Sequence, residues 1–177
     1  MKYIGELRYY RAGISSILLQ YRTHRAFHRL PFLWKFHTVH HSAKAVDWMA
    51  GARMHFLEII VLRGFTVILM QIFGFSTGAI QCYILIVYIY STLIHANVRL
   101  PLPWPAKFMV TPRFHHWHHG VEREAIDVNF AIYFPLFDKL FGTYYMPKDH
   151  WPEGYGISGH PVPLGYFKQL LYPFKKG

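Results

Sequence analysis

Acid is scarce in this chain. Nine Asp and Glu stand against 19 Lys and Arg, giving a formal net charge of +10 with all 13 histidines neutral. Cysteine is nearly absent. Cys82 stands alone, which excludes a disulfide framework, a Cys-x-x-Cys pair and a haem-attachment motif. Charge of either sign is missing from one long stretch: the 35 residues 64–98, between Arg63 and Arg99, hold no Asp, Glu, Lys or Arg. No cleavable signal peptide is expected, because the apolar stretch Ile14 to Leu19 is short and lies between arginines.

What fills the uncharged stretch is apolar. One run extends roughly from Phe56 to Phe73, interrupted by Glu58 and Arg63; a second extends from Ala79 to Ile94. Gly74, Phe75, Ser76, Thr77 and Gly78 lie between them. A helix needs about 20 apolar residues to cross a bilayer, so both runs are slightly short. A buried core hairpin of a soluble domain is the competing reading. The length of the uncharged stretch favours two membrane spans joined by a tight turn. Such a hairpin returns the chain to the side it left. Nine Lys or Arg lie in residues 1–55 and nine more in residues 99–177, while the turn has none. The flanking regions are therefore expected in the cytoplasm. The basic residues are scattered among Trp, Tyr and Phe, which fits anionic lipid headgroups better than nucleic acid.

The flanks are rich in histidine. His-x-x-His-His occurs twice, as His37, His40 and His41 and again, 78 positions later, as His115, His118 and His119. His24 and His28 precede them as an i, i+4 pair. On a helix, positions i, i+3 and i+4 fall within an arc of about 100°, so each cluster points three imidazoles one way. Neutral imidazole suits iron, zinc, copper and nickel. Eight aligned imidazoles exceed the needs of one ion and point to two. A His-rich tag or loose metal sink is the alternative, but these histidines sit at helical spacing inside apolar sequence. The hairpin places all the clusters on one membrane face, which agrees with a shared site.

The rest of the chain is read more coarsely. Residues 1–23 are basic and aromatic with a weak helical core. Residues 24–55 are helical segments broken at Pro31 and include Asp47, Arg53 and His55. Pro101, Pro103 and Pro105 form a linker, and 106–119 carry the second cluster. Residues 127–146 are expected as an interfacial helix, and the Pro- and Gly-rich tail from Pro147 as irregular structure over the cytoplasmic face. No internal repeat is present beyond the duplicated His motif. Gly154, Gly156 and Gly159 match Gly-x-Gly-x-x-Gly, but Pro152 precedes them and Pro161 and Pro163 follow, so a dinucleotide fold is not expected there.

Soluble di-iron oxygenases use Glu and Glu-x-x-His ligands, and zinc proteases use His-Glu-x-x-His; neither pattern occurs. Structural zinc usually recruits Cys. An all-His site beside a membrane is a different solution. His24-Arg25-Ala26-Phe27-His28, followed by Leu33-Trp34-Lys35-Phe36-His37-Thr38-Val39-His40-His41-Ser42, resembles the fatty acid hydroxylase/sterol desaturase superfamily, in its bacterial type. Thr111-Pro112-Arg113-Phe114-His115-His116-Trp117-His118-His119 looks like the last His box, and Phe141-Gly142-Thr143-Tyr144-Tyr145 like the C-terminal signature. The match runs from about Leu19 to Phe174.

The resemblance implies an all-α integral membrane protein, with a transmembrane helical hairpin under a cytosolic helical cap that carries the His boxes. Residues 1–177 would form a single hydroxylase-like membrane domain. The family's further N-terminal membrane helices are expected to be missing, and Ile17 and Arg22 stand where it usually has Asp and Trp. It implies a di-iron centre, two Fe ions that Zn replaces on heterologous expression, with O2 as co-substrate. The reaction is hydroxylation or desaturation of a lipid C–H bond, in a bacterial inner membrane or an endoplasmic reticulum. Electrons come from an external cytochrome b5- or ferredoxin-like donor. Carried over by position, the metal ligands are His24, His28, His37, His40, His41, His95, His115, His118 and His119. His55 is either a ligand or a neighbour of one. His116 lies about 100° off the ligand face and is expected to be no ligand. His150 and His160 are expected at the surface. Asp47, Asn97, Asp127 and Asn129 are candidates to orient ligating imidazoles. The rival readings are a truncated inactive homologue and a membrane metal-binding or transport protein.

Overall fold

The computed structural model describes residues 2–99, 105–148, 150–159 and 161–175, without the side chains of 2–12 and 105. Pro101, Pro103 and His160 therefore lie outside the described residues. The described residues form seven α-helices with short 3-10 turns and no strand; one isolated bridge pairs Gly120 with Tyr155.

Helix α1 runs unbroken over Lys2–Arg29, where the sequence suggested only a weak core up to residue 23. Leu18, Leu19, Gln20, Arg22, Arg25 and Ala26 all favour helix. Ser16, Gln20, His24 and Phe27, spaced four, four and three apart, bury one stripe of it. The helix stops because Pro31 forbids Leu30 a helical conformation: Leu30 is extended, at φ −99° and ψ 115°. Pro31 then opens α2, Pro31–His41, where its missing N–H costs nothing. The 3-10 turn Ala50–Ala52 follows, set by Asp47, whose carboxylate accepts from the N–H groups of Met49 and Ala50.

Helix α3, Phe56–Ile72, buries Glu58, Leu62, Thr66 and Met70, one residue in four. Ile59, Ile60, Phe65, Ile68 and Ile72 on its other faces are exposed. A turn through Gly74, at φ 77°, leads to α4, Thr77–His95, capped by the Ser76 hydroxyl. Among the described residues α4 is the one helix long and apolar enough to cross a membrane. A soluble core helix would be mostly buried, yet only 22% of its apolar window is. Helix α3, at 17 residues with Glu58 and Arg63, falls short of that measure. Helix α3 packs on α1 and α4 packs on α5, Pro112–His118, rather than α3 and α4 chiefly on each other.

The expected interfacial helix over 127–146 is not formed. Its place is taken by loops and the five-residue α6, Leu136–Leu140. The loops are fixed by Asp138, which is fully buried and accepts from Phe130 N, Ala131 N and the Thr143 hydroxyl. The Thr143 oxygen in turn accepts from the Tyr21 hydroxyl at 2.9 Å, and Tyr21 stacks on Phe141 at 5.5 Å. The Phe141-Gly142-Thr143 signature thus ties this loop to α1. The irregular tail covers α5: the Trp117 indole N–H donates to the His150 carbonyl and Val121 N–H to Gly154. The short α7, Tyr166–Leu171, ends beside the start of α3.

Candidate metal centre

Helices α1, α2, α4 and α5 each deliver imidazoles to one buried region. Their nitrogens form two groups: His24, His28, His37, His41 and His118, and His40, His95, His115 and His119. Within each group the nearest nitrogens lie within 4.8 Å of one another. All nine histidines singled out from the sequence stand in one group or the other. The two clusters are shared between groups, because i and i+4 of α2 turn to one group while i+3 turns to the other. In α5 the order is reversed, with i+3 in the first group and i and i+4 in the second.

The hydrogen bonds around the groups fix which nitrogen carries the proton. A carbonyl can only accept. His24 Nδ1–H donates to Phe130 O at 2.7 Å, His118 Nδ1–H to Val128 O at 2.8 Å, His40 Nδ1–H to Arg53 O at 3.1 Å and His95 Nδ1–H to Ser91 O at 2.6 Å. His37 Nδ1–H is held by the Glu58 carboxylate. In each of these neutral rings Nε2 is left with a bare lone pair. Yet His24 and His37 bring their Nε2 atoms to 3.1 Å, and His40 and His95 bring theirs to 3.3 Å. Two lone pairs facing at that distance repel unless a cation lies between them. Further Nε2 contacts extend each group: His41 to His37 and to His118, both at 3.1 Å, His115 to His95 at 2.9 Å and His119 to His115 at 3.2 Å. Ligand nitrogens about 2.0–2.1 Å from an ion and about 90° apart stand about 2.9 Å from each other. The donor set and its spacing fit two metal ions.

Burial reinforces this. It pushes the His24 imidazole down to about 4. His28, His37, His40, His41, His115, His118 and His119 also lie well below the usual range, through burial first and then the charge their neighbours would add. The rings stay neutral, which is the ligating form. His28 Nε2, His115 Nδ1 and His119 Nδ1 are buried without a hydrogen-bond partner.

Other predicted residues do different work. His55 is in neither group. Its Nδ1 accepts from Leu57 N–H and its Nε2–H donates to Leu170 O, so both nitrogens are spent on capping α3 and holding α7. His116 points away: its Nε2–H donates to His95 O and its Nδ1 accepts from the Tyr155 hydroxyl. Asp47 shapes the 3-10 turn and no imidazole. Asn129, at φ 58°, binds the backbone of Phe114 and Tyr145. Asn97 is exposed. Asp127 lies 3.7 Å from His28 Nδ1 and 3.3 Å from Arg29. The carboxylate that orients an imidazole is one the sequence reading passed over, Glu58. The signal was there: an acid inside an apolar run is costly and needs a partner.

Among the described residues, two cavities that reach the imidazoles stand out. One of about 410 Å³ opens onto His28, His41 and His118 beside Trp34, Ile126 and Asp127. One of about 30 Å³ touches both groups, through His24 and His37 and through His40, His95 and His115.

The described residues thus combine an all-helical fold, two groups of imidazoles that could hold metal ions and one helix long and apolar enough to cross a membrane. Residues 12–143 match the family described as fatty acid hydroxylase, and the chain belongs to that family. It is 29% identical over 162 residues to the ornithine lipid hydroxylase OlsE of Rhizobium tropici, covering 88% of this chain and 47% of that protein. It is 28% identical over 154 residues to the alkylglycerol monooxygenase of Homo sapiens, covering 87% and 34%. Against the cholesterol 25-hydroxylase of Mus musculus the identity is 25% over 128 residues, covering 68% and 41%. The chain spans less than half the length of these relatives. No solved structure matches it.

Proposed function

We propose that this chain is a lipid oxygenase that uses O2 and two iron ions to hydroxylate or desaturate an unactivated C–H bond. The carrying observation is the facing of bare Nε2 lone pairs in two adjoining groups, His24 with His37 and His40 with His95. The relatives, named for lipid hydroxylation and monooxygenation, support the lipid class. The proposed ligands are His24, His28, His37, His41 and His118 for one ion and His40, His95, His115 and His119 for the other. Iron is the native metal in this reading, and zinc would displace it after heterologous expression, because its affinity exceeds that of ferrous iron.

When bound, the metal pair supplies the activation of O2 that a strong C–H bond requires. Hydroxylation consumes O2, two electrons and two protons and yields an alcohol and water; the electrons come from an external cytochrome b5- or ferredoxin-like protein. The chain's own residues orient and enclose. Glu58 fixes the His37 tautomer and offsets part of the positive charge. Asp138 holds the loop whose Phe130 carbonyl orients His24, and the Val128 carbonyl two residues earlier orients His118.

In the same reading residues 1–177 act as one unit. Helices α3 and α4 enter the bilayer as a hairpin, with the histidines at its cytoplasmic rim, in a bacterial inner membrane or an endoplasmic reticulum. The exposed isoleucines of both helices support this. A transporter would place its ligands midway along the spans, whereas these lie at the C-terminal end of α4 and outside the spans. The test is anaerobic metal analysis of the purified chain, followed by lipid mass spectrometry of cells expressing it with a competent electron donor. Two metals per chain and a lipid gaining one oxygen or losing two hydrogens are expected. A metal-loaded chain that leaves every lipid unchanged would make it an inactive homologue.

A further inference from the structure

The small cavity between the imidazoles and the apolar helices has an unusual wall. Opposite His24, His37, His40, His95 and His115 it is lined by Gln20 of α1 and Arg63 of α3. Gln20 is 3% exposed; its side chain lies beside the Tyr133 hydroxyl, and Nε2 makes no full hydrogen bond. Arg63 Nη1 is buried and also without a partner. An unpaired donor costs about 1–3 kcal/mol when buried, more when charged. An ionisable residue in a span is retained for a ligand or pathway more often than for packing. No carboxylate is bonded to Arg63: Glu58, on the same helix, gives one oxygen to His37 and leaves the other buried without a hydrogen bond. Around this cavity are neutral imidazoles, Gln20, Arg63 and the Ser91 hydroxyl. Gln20 and Arg63 ask for an acceptor, one bearing negative charge above all, while the facing Nε2 lone pairs of the imidazoles ask for a cation. A cavity of about 30 Å³ takes about two water-sized groups, which suits a carboxylate or carbonyl and excludes a phosphate with its substituents. Met54, Leu62, Ile94 and Ile132 supply the apolar part of the wall, so an apolar chain can lead away from the polar end.

We propose that Arg63 and Gln20 form a subsite that binds the carboxylate or carbonyl oxygen of the lipid against the histidine groups. This rests on the lipid-oxidation reading above and deepens it. The oxidised carbon then lies within a few bonds of that oxygen, rather than midway along the tail or at its end. Arg63 is suited to the task, since its fork offers two parallel donors to one carboxylate.

The test is equilibrium binding of labelled palmitate and labelled heptadecane to the full chain in detergent micelles, zinc-loaded and metal-free, corrected with empty micelles. Palmitate is expected to bind about tenfold tighter than heptadecane or more, as a charge-assisted hydrogen bond in a buried site allows. Arg63→Met and Gln20→Leu should each remove most of that difference and leave heptadecane unchanged, which also shows that the variants are folded. Formate should compete with palmitate and not with heptadecane; formate binding without palmitate selectivity would overturn a lipid occupant. Equal binding of the two probes by the wild-type chain, or equal weakening of both by the variants, would overturn the subsite. Should Arg63→Met not fold, Gln20→Leu and the wild-type comparison decide alone. No oxidation occurs in the zinc-loaded or metal-free chain. Selective binding without any lipid product therefore sinks the oxidation reading alone, and a lipid product without selective binding sinks this one alone.

Discussion

The two histidine groups are built from the same motif but held differently. The first group, with His24, His37 and His118, hangs on side-chain and loop supports: the Glu58 carboxylate and the carbonyls of Phe130 and Val128. It also faces the cavity of about 410 Å³. In the second group two rings rest on backbone carbonyls, while His115 and His119 leave Nδ1 without a partner. His95 is tied to its own helix through Ser91 O and His40 to Arg53 O, and Gly51 packs so near that an added Cβ would stand 3.0 Å from His95 Nδ1. The first group opens to the larger cavity; the second is more closely packed around His95.

Breaking the first group should have the largest effect. His118→Ala removes a proposed ligand nitrogen from the side facing the large cavity. Lipid oxidation should vanish in whole-cell lipid mass spectrometry, and the purified chain should retain one metal and its place in the membrane. Loss of both metals would mean that the groups are not separable. Glu58→Gln comes next. It keeps the volume and removes the charge behind His37, so affinity at one of two sites should fall about 10–100-fold in competition with a chelator, as for other outer supports of ligating histidines. An equal fall at both sites would erase the contrast drawn above.

Gly51→Ala probes the enclosed group. The new methyl presses on His95 Nδ1 and on Ser91, at 3.0 and 3.2 Å, so overpacking of about 1–3 kcal/mol is expected in thermal unfolding, with metal loss confined to one site. His55→Ala should do least. It removes the α3 cap and the bond to Leu170, about 1 kcal/mol of stability, and should leave both metals bound. A missing metal in that variant would restore His55 to the ligand set.

The same contrast shows what a sequence can disclose. His-x-x-His-His is legible because helical geometry turns spacing into direction, and both copies lie on helices, in α2 and across α5 and its cap. His95 was legible only through the resemblance to a family that has a lone His at the end of a span. The supports were not. Phe130, Val128, Arg53 and Ser91 act through backbone carbonyls, and any residue type offers one. Glu58 reads as an interruption of an apolar run until the stripe Glu58, Leu62, Thr66, Met70 is known to face inward. Asp47 and Asn129 look like partners for histidine by type alone, yet turns claim them first. The failed helix over 127–146 has a similar cause: apolar content suggested regularity, while the buried Asp138 carboxylate collects backbone N–H groups that a helix would have used.

The central claim is two separable metal sites, and metal counting tests it most directly. The wild-type chain, purified anaerobically and reconstituted with ferrous iron, is measured by elemental mass spectrometry beside two triple alanine variants, one at His24, His37 and His118 and one at His40, His95 and His115. Two metals in the wild type and one in each variant are expected. One metal or fewer in the wild type, abolished by either set of changes, would contradict the account.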